Sequence, residues 1–227
     1  MRKFSYALAL AALLLSTNTY AQTVSVATAS AKKAAQPWLY EGSDIPVDDT
    51  WTFGVLPNGL RYAVKKNDVP AGQVSIRVRI DAGALHENND EQGFAHLIEH
   101  LSFRGSTFVP DGEAKRIWQR FGVTFGSDSN AQTTPTQTVY KLDLPNATPE
   151  KLDESVKIIS GMIRNPRISP TALNAERAIV LAELRENSGA QMIYSDALRQ
   201  HAFQGQRLAN RSTIGTPETL QASDAIR

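Results

Sequence analysis

Gly93-Phe94-Ala95-His96-Leu97-Ile98-Glu99-His100-Leu101-Ser102-Phe103 is the stretch on which the reading of this chain turns. Gly93, Phe94, Ala95, Leu97, Ile98, Leu101 and Phe103 are mostly apolar, so the segment predicts a buried helix over Gly93 to Phe103. His96 and His100 then share one face, because the helix repeats every 3.6 residues. Each can offer an imidazole nitrogen to the same metal ion. Glu99 lies close to that face and can reach a water bound there. Buried imidazoles and carboxylates are costly unless paired or metal-bound, and two of the chain's four histidines fall in this one motif. Chance spacing on an amphipathic helix is the competing explanation; the apolar setting argues for a metal site. The order His-x-x-Glu-His is the inverzincin motif, the reverse of His-Glu-x-x-His. It takes a third ligand from a distant glutamate, which the rest of the chain must supply.

Such a glutamate is available. Glu176-Arg177-Ala178-Ile179-Val180-Leu181-Ala182-Glu183 reads as helix, with Pro170 at its start and Ser169 placed to cap it. Glu176 and Glu183 share a helical face. Taken alone, they suit a solvated acidic face together with Glu186. Beside the histidine motif, one of them is expected to complete three protein ligands, leaving an open position for water.

At this point the chain resembles the N-terminal part of the M16 metallopeptidases, the pitrilysin, insulin-degrading enzyme and mitochondrial processing peptidase group. The likeness is nearest to the periplasmic PqqL-like bacterial branch. The matching segments are Leu56 to Leu60, Gly93 to Gly105, Gly126 to Thr133 and Glu176 to Glu183, within a match from about Trp51 to the end. The resemblance implies a Zn2+ cofactor held by His96, His100 and Glu183, with Glu99 as the base and Glu176 in support. The spacing of 183 − 100 = 83 residues is somewhat longer than in the best-known members. The extra residues are expected in a loop between Gly105 and Pro170, where insertions are tolerated. If spacing decided instead, Glu176, at 76 residues (176 − 100), would be the ligand.

Working outward, Met1 to Ala21 has the pattern of a signal peptide. Arg2 and Lys3 precede an apolar run from Tyr6 to Leu15, too short to span a bilayer, and Thr19-Tyr20-Ala21 suits cleavage before Gln22. The mature chain is therefore expected in a bacterial periplasm or secreted, with no later membrane span. Gln22 to about residue 50 reads as a linker that becomes ordered near Trp38-Leu39-Tyr40. Residues 51–227 then form one domain. Cysteine is absent, which excludes disulfides, a thiolate zinc site and a cysteine nucleophile. The net charge of +1, from 24 basic and 23 acidic residues, argues against a nucleic-acid partner.

The remaining pattern gives an α+β fold, a mostly antiparallel sheet packed by helices. Strands are expected at Thr52–Leu56 and Leu60–Lys65 around Pro57-Asn58-Gly59, then at Val74–Ala82, Phe125–Thr133 and Gln137–Leu144. Helices are expected at Glu113–Phe121, Pro149–Ile163, Pro170–Asn187 and Met192–Phe203. Gly126 to Thr133 is polar enough for an ordinary blunted edge strand. By resemblance, Asn130 and Ala131 hold a peptide substrate as an added strand. Arg104 receives no role, and His86 and His201 read as surface or structural histidines.

These readings converge on a zinc endopeptidase acting on peptides or unfolded polypeptides. A non-catalytic subunit of the same family, or a peptide-binding module with a structural metal, are the alternatives. In the family an Arg and a Tyr from a later homologous half assist the reaction. The chain stops at Arg227, before such a half, so the missing half or a partner subunit is expected, and the chain alone is expected to be inactive.

Overall fold

The computed structural model describes Trp38 and residues 40–225. The expected signal peptide and most of the expected linker lie outside those residues. The chain divides into two compact units, at Lys65 and Lys66.

In the first unit, β1 (Trp51–Val55) pairs antiparallel with β2 (Arg61–Lys65). Gly59, at φ +87°, makes the turn that Pro57-Asn58-Gly59 predicts, and Asn58 Oδ1 accepts from Leu60 N at 3.1 Å. Phe53 packs against Trp38 and Tyr40, at ring separations of 5.0 and 5.1 Å. The Arg61 guanidinium lies 3.8 Å above the Trp38 ring.

The second unit carries a three-stranded antiparallel sheet in the order β3 (Val74–Ile80), β5 (Thr138–Leu144), β4 (Ser129–Thr133). Its helices are α1 (Phe94–Ser102), α2 (Glu113–Arg120), α3 (Pro149–Arg164), α4 (Pro170–Glu186), α5 (Ala190–Ala202) and α6 (Pro217–Gln221). The mixed helices and antiparallel sheets are the α+β class that the sequence predicts. In β5, Thr138, Tyr140, Leu142 and Leu144 are buried on one face. Tyr140, Leu142 and Leu144 form a core with Ile117 and Trp118 of α2 and Ile158, Ile159 and Met162 of α3. Trp118 Nε1 finds Ser155 Oγ at 3.3 Å, so the indole is buried with its donor satisfied.

A second core joins the two helices of the motif reading. Leu97 and Leu101 of α1 pack with Ala172, Leu173 and Val180 of α4, closed by Ile214 and Leu220. Pro170 starts α4, and Ser169 Oγ accepts from Ala172 N at 3.1 Å. At the start of α1, Gly93 has φ +90°, and a Cβ there would meet Ile214 O at 2.6 Å, so glycine is required on both counts. The buried Glu87 carboxylate caps this end, accepting from Gly93 N at 3.0 Å and Ala95 N at 2.8 Å.

Two expectations need correction. β4 begins at Ser129 rather than Phe125, because Gly126 (φ +94°) and the bond from Thr124 N to Asp128 Oδ2, 2.8 Å, make a turn there. Ile98 is not buried: it is 46% exposed and lines an open cavity rather than either core. The interval from Gly105 to Pro170 holds α2, β4, β5 and α3 with the turns that join them, as the periodicity predicts.

Candidate metal centre

α1 places His96 and His100 one helical turn apart, with ring centroids 4.7 Å from each other. α4 packs across them and brings in both glutamates. Glu183 Oε2 lies 3.8 Å from His96 Nε2 and 3.6 Å from His100 Nε2. Ligand atoms from all three lie within 4.8 Å of one another, and no other such group of His, Asp or Glu occurs among the described residues. The distances exceed those of hydrogen bonds. They approach the spacing of about 3.3 Å between ligands of a tetrahedral ion with bonds of about 2.0–2.1 Å. The donor set, two imidazoles and one carboxylate, is also the chemistry zinc accepts.

Glu176 sits on the other side of the His100 ring. Its Oε2 is 3.0 Å from His100 Nδ1, and its Oε1 accepts from Arg104 Nε at 2.5 Å. So the two glutamates of one helical face do different things: Glu183 faces both Nε2 atoms, while Glu176 faces an Nδ1. The contact with Glu176 fixes the His100 tautomer with its hydrogen on Nδ1, leaving Nε2 a free lone pair. His96 Nδ1 is buried with no hydrogen-bond partner in the protein.

Glu99 is buried, at 7% exposure, and its Oε2 accepts from Thr133 Oγ1 at 2.5 Å. Burial pushes its carboxyl up, against the hydrogen bond from Thr133. Burial likewise pushes the His96 imidazole down, with the neighbouring His100 acting in the same direction. The hydrogen bond to Glu176 raises His100 against burial. Burial pushes Glu176 up, but the bonds from His100 and Arg104 outweigh it and hold the carboxyl below its ordinary value.

β4 runs past this cluster as the outer strand of its sheet among the described residues. Asn130 is exposed and Ala131 half-buried, paired with Lys141 and Tyr140 of β5. Asn130 Oδ1 accepts from Ala131 N at 2.9 Å. Two cavities, about 430 and 620 Å³, flank the strand, and Glu99 and Ala131 line both. One also takes in Arg104, Asn130 and Glu176; the other takes in His96, Thr133 and Glu183. His86 lies apart, accepting from Gly83 N at 3.1 Å through Nδ1, and His201 is exposed.

Sequence reasoning missed Arg104 and Thr133. Arg104 had a signal: His96, His100 and Arg104 recur every fourth residue, on one helical stripe continued past the end of α1. Thr133 had none, because its contact with Glu99 depends on where β4 docks.

The sequence profile described as Insulinase (Peptidase family M16) matches residues 62–216. The chain is 32% identical over 189 residues to a protein of Haemophilus influenzae named Probable zinc protease PqqL, covering 83% of this chain and 20% of that relative. The periplasmic protease PqqL from Escherichia coli superposes with a TM-score of 0.76 at 30% identity, covering 80% of this chain and 20% of that one. A structure of the first half of that protease gives the same score and is covered to 39%. The chain spans about one fifth of the length of these relatives. With most of its length inside the family profile, the chain belongs to peptidase family M16, the insulinase family.

Proposed function

We propose that this chain carries the zinc centre and the base of a metalloendopeptidase that hydrolyses peptides or unfolded polypeptides. The observation that carries the reading is the position of Glu183, whose carboxylate faces the Nε2 atoms of both histidines on the neighbouring helix, 3.6 and 3.8 Å away. His96, His100 and Glu183 would hold the ion. Zinc bound there supplies Lewis acidity, acidifying a water and polarising a carbonyl.

The chain's own groups do the rest. Glu99 accepts the proton of the attacking water at a carboxylate oxygen and returns it to the leaving amine. Thr133 donates to one of those oxygens and so orients the carboxylate. Glu176 holds the His100 ring in the tautomer that presents Nε2. β4 offers Asn130 and Ala131 beside Glu99, where an extended peptide can pair with the backbone whatever its sequence.

The same reading assigns residues 1–21 to a signal peptide, 22–50 to a leader and 51–227 to an N-terminal M16-type domain, with function in the periplasm or outside the cell. The relatives continue well beyond the matched fifth. A later half or partner subunit is proposed to supply the donors for the oxyanion, and the chain alone is expected to hydrolyse little. One lost donor of that kind typically costs about 10²–10³ in rate.

The test uses the full-length protein. Glu99→Gln is expected to keep near-stoichiometric zinc and to lose at least about 10²-fold in hydrolysis of unfolded casein, the usual share of a positioned base. His96→Ala is expected to lose the zinc itself. Equal zinc loss in the two variants would overturn the assignment of Glu99.

A further inference from the structure

We infer that Arg104 is a positioning residue for the metal-facing imidazole of His100, acting through Glu176. The inference rests on the zinc reading above and assigns a task to a residue that reading does not use. Arg104 stands just past α1, its N–H donating to Leu101 O at 3.0 Å. Its side chain crosses to α4, where Nε donates to Glu176 Oε1 at 2.5 Å. The other carboxylate oxygen, Oε2, is 3.0 Å from His100 Nδ1. Each oxygen of Glu176 therefore has its own partner, and the carboxylate cannot turn about its last bond without breaking one of them. Asp111 Oδ2, 3.6 Å from Arg104 Nη1, steadies the other side of the guanidinium.

The choice of arginine matters physically. Its planar fork donates in fixed directions, so it sets the plane of the carboxylate as well as its charge. A lysine would supply charge without direction. With Glu176 held as an acceptor, His100 must carry its hydrogen on Nδ1, and Nε2 keeps its lone pair toward Glu183, 3.6 Å away. The chain of contacts thus runs Arg104, Glu176, His100, Glu183, and each link crosses between α1, or its end, and α4. A plain ion pair tying the end of α1 to α4 would stabilise the packing. Losing a pair that did only this would lower the urea stability of the metal-free protein and leave the cobalt bands at their wild-type positions.

That difference between metal-site and stability readouts is what the experiment reads. Zinc affinity is measured by chelator competition in the full-length wild type, Arg104→Gln, Arg104→Lys, Glu176→Gln and the Arg104→Gln/Glu176→Gln double variant. The cobalt-substituted absorption spectrum and the urea stability of the metal-free proteins are recorded alongside. Arg104→Gln is expected to weaken zinc binding by about 10-fold, the lower end of what outer partners of metal-binding histidines contribute, and to shift the cobalt bands as Glu176→Gln does. Arg104→Lys should recover part of the loss. The double variant should bind about as tightly as Glu176→Gln alone, since the two residues act on one path. Additive losses, or zinc affinity within about two-fold of wild type in Arg104→Gln, well below that range, would overturn the inference. Should Arg104→Gln unfold, the cobalt spectrum of the charge-preserving Arg104→Lys decides: wild-type bands refute the role of the fork. Failure of the zinc reading looks different: His96→Ala would then bind zinc as tightly as wild type, and the role of Arg104 would fall with it.

Discussion

The helix pair α1–α4 and the strand β4 border the same cavities, yet they are built by opposite means. On the helices, two of the candidate site groups are buried beside apolar packing, while the Glu183 side chain opens to the cavity at 40% exposure. Glu99 and Glu176 are both buried to 7% exposure, and Leu97, Leu101, Leu173 and Val180 fix the helices around them. On β4, Asn130 and Gln132 are exposed and the strand has one neighbour, β5, among the described residues. The helices spend apolar burial to hold polar groups at set distances. The strand keeps a backbone edge open. Chemistry needs the first arrangement, and capture of a chain of arbitrary sequence needs the second.

The sharpest way to break that contrast is within α4. Glu183→Gln removes a charged group that faces both Nε2 atoms and is expected to weaken zinc binding by more than about 10²-fold. Glu176→Gln should cost roughly 10–100-fold, as outer partners do. Both are read by chelator competition, and a larger loss for Glu176→Gln would reverse the two assignments. Next in size is the packing. Leu101, 2% exposed between the two helices, should cost about 2–5 kcal/mol on replacement by alanine, measured by urea unfolding. A cost below about 1 kcal/mol would mean the helix pair is not the rigid element claimed here.

How much of this was legible in the sequence follows from the same contrast. Helical period and caps predict α1 and α4, since Ser169 and Pro170 mark a start and the apolar positions mark a buried stripe. Period cannot separate Glu176 from Glu183, because both lie on one face. The offset between two packed helices separates them, and that offset depends on Leu97, Leu101, Leu173 and Val180 meeting in one core. The exposure of Ile98 was not legible either: it lines an open cavity with Phe94, Ser102 and Tyr140 and belongs to neither core. α5 shows the limit of pattern. Its helix is predictable, yet it buries no residue. The start of β4 is set by the Gly126 turn, and the partnership of Thr133 with Glu99 by docking across 34 residues of chain.

The open strand should respond to substitution in kinetics rather than in stability. Asn130→Ala is expected to change folding stability by less than about 0.5 kcal/mol, as exposed positions do. It should raise the KM for an unfolded substrate by roughly 2–10-fold, the worth of one hydrogen bond. An unchanged KM would remove Asn130 from the binding edge. Smaller still is the effect of the charges along the sheet. Burial pushes the Asp143 carboxyl up, but hydrogen bonds from Arg77, Lys141 and Ser75 outweigh it and hold it down at about 2. A carboxyl depressed in the folded state adds stability above its unfolded value near 3.9 and loses it as pH falls through about 2. With the Arg77 partner 45% exposed, Asp143→Asn should cost no more than about 1 kcal/mol at neutral pH. The gap between the stability curves of variant and wild type should narrow from about pH 4 and close below about pH 2. A gap of undiminished size at pH 2 would assign the effect to packing instead.

Anomalous diffraction at the zinc edge from zinc-loaded crystals identifies the groups that hold the metal. One strong peak is expected about 2.0–2.2 Å from His96 Nε2, His100 Nε2 and a Glu183 carboxylate oxygen, with Glu176 still on His100 Nδ1. A peak ligated by Glu176 in place of Glu183, or located away from both histidines, would contradict that ligand set.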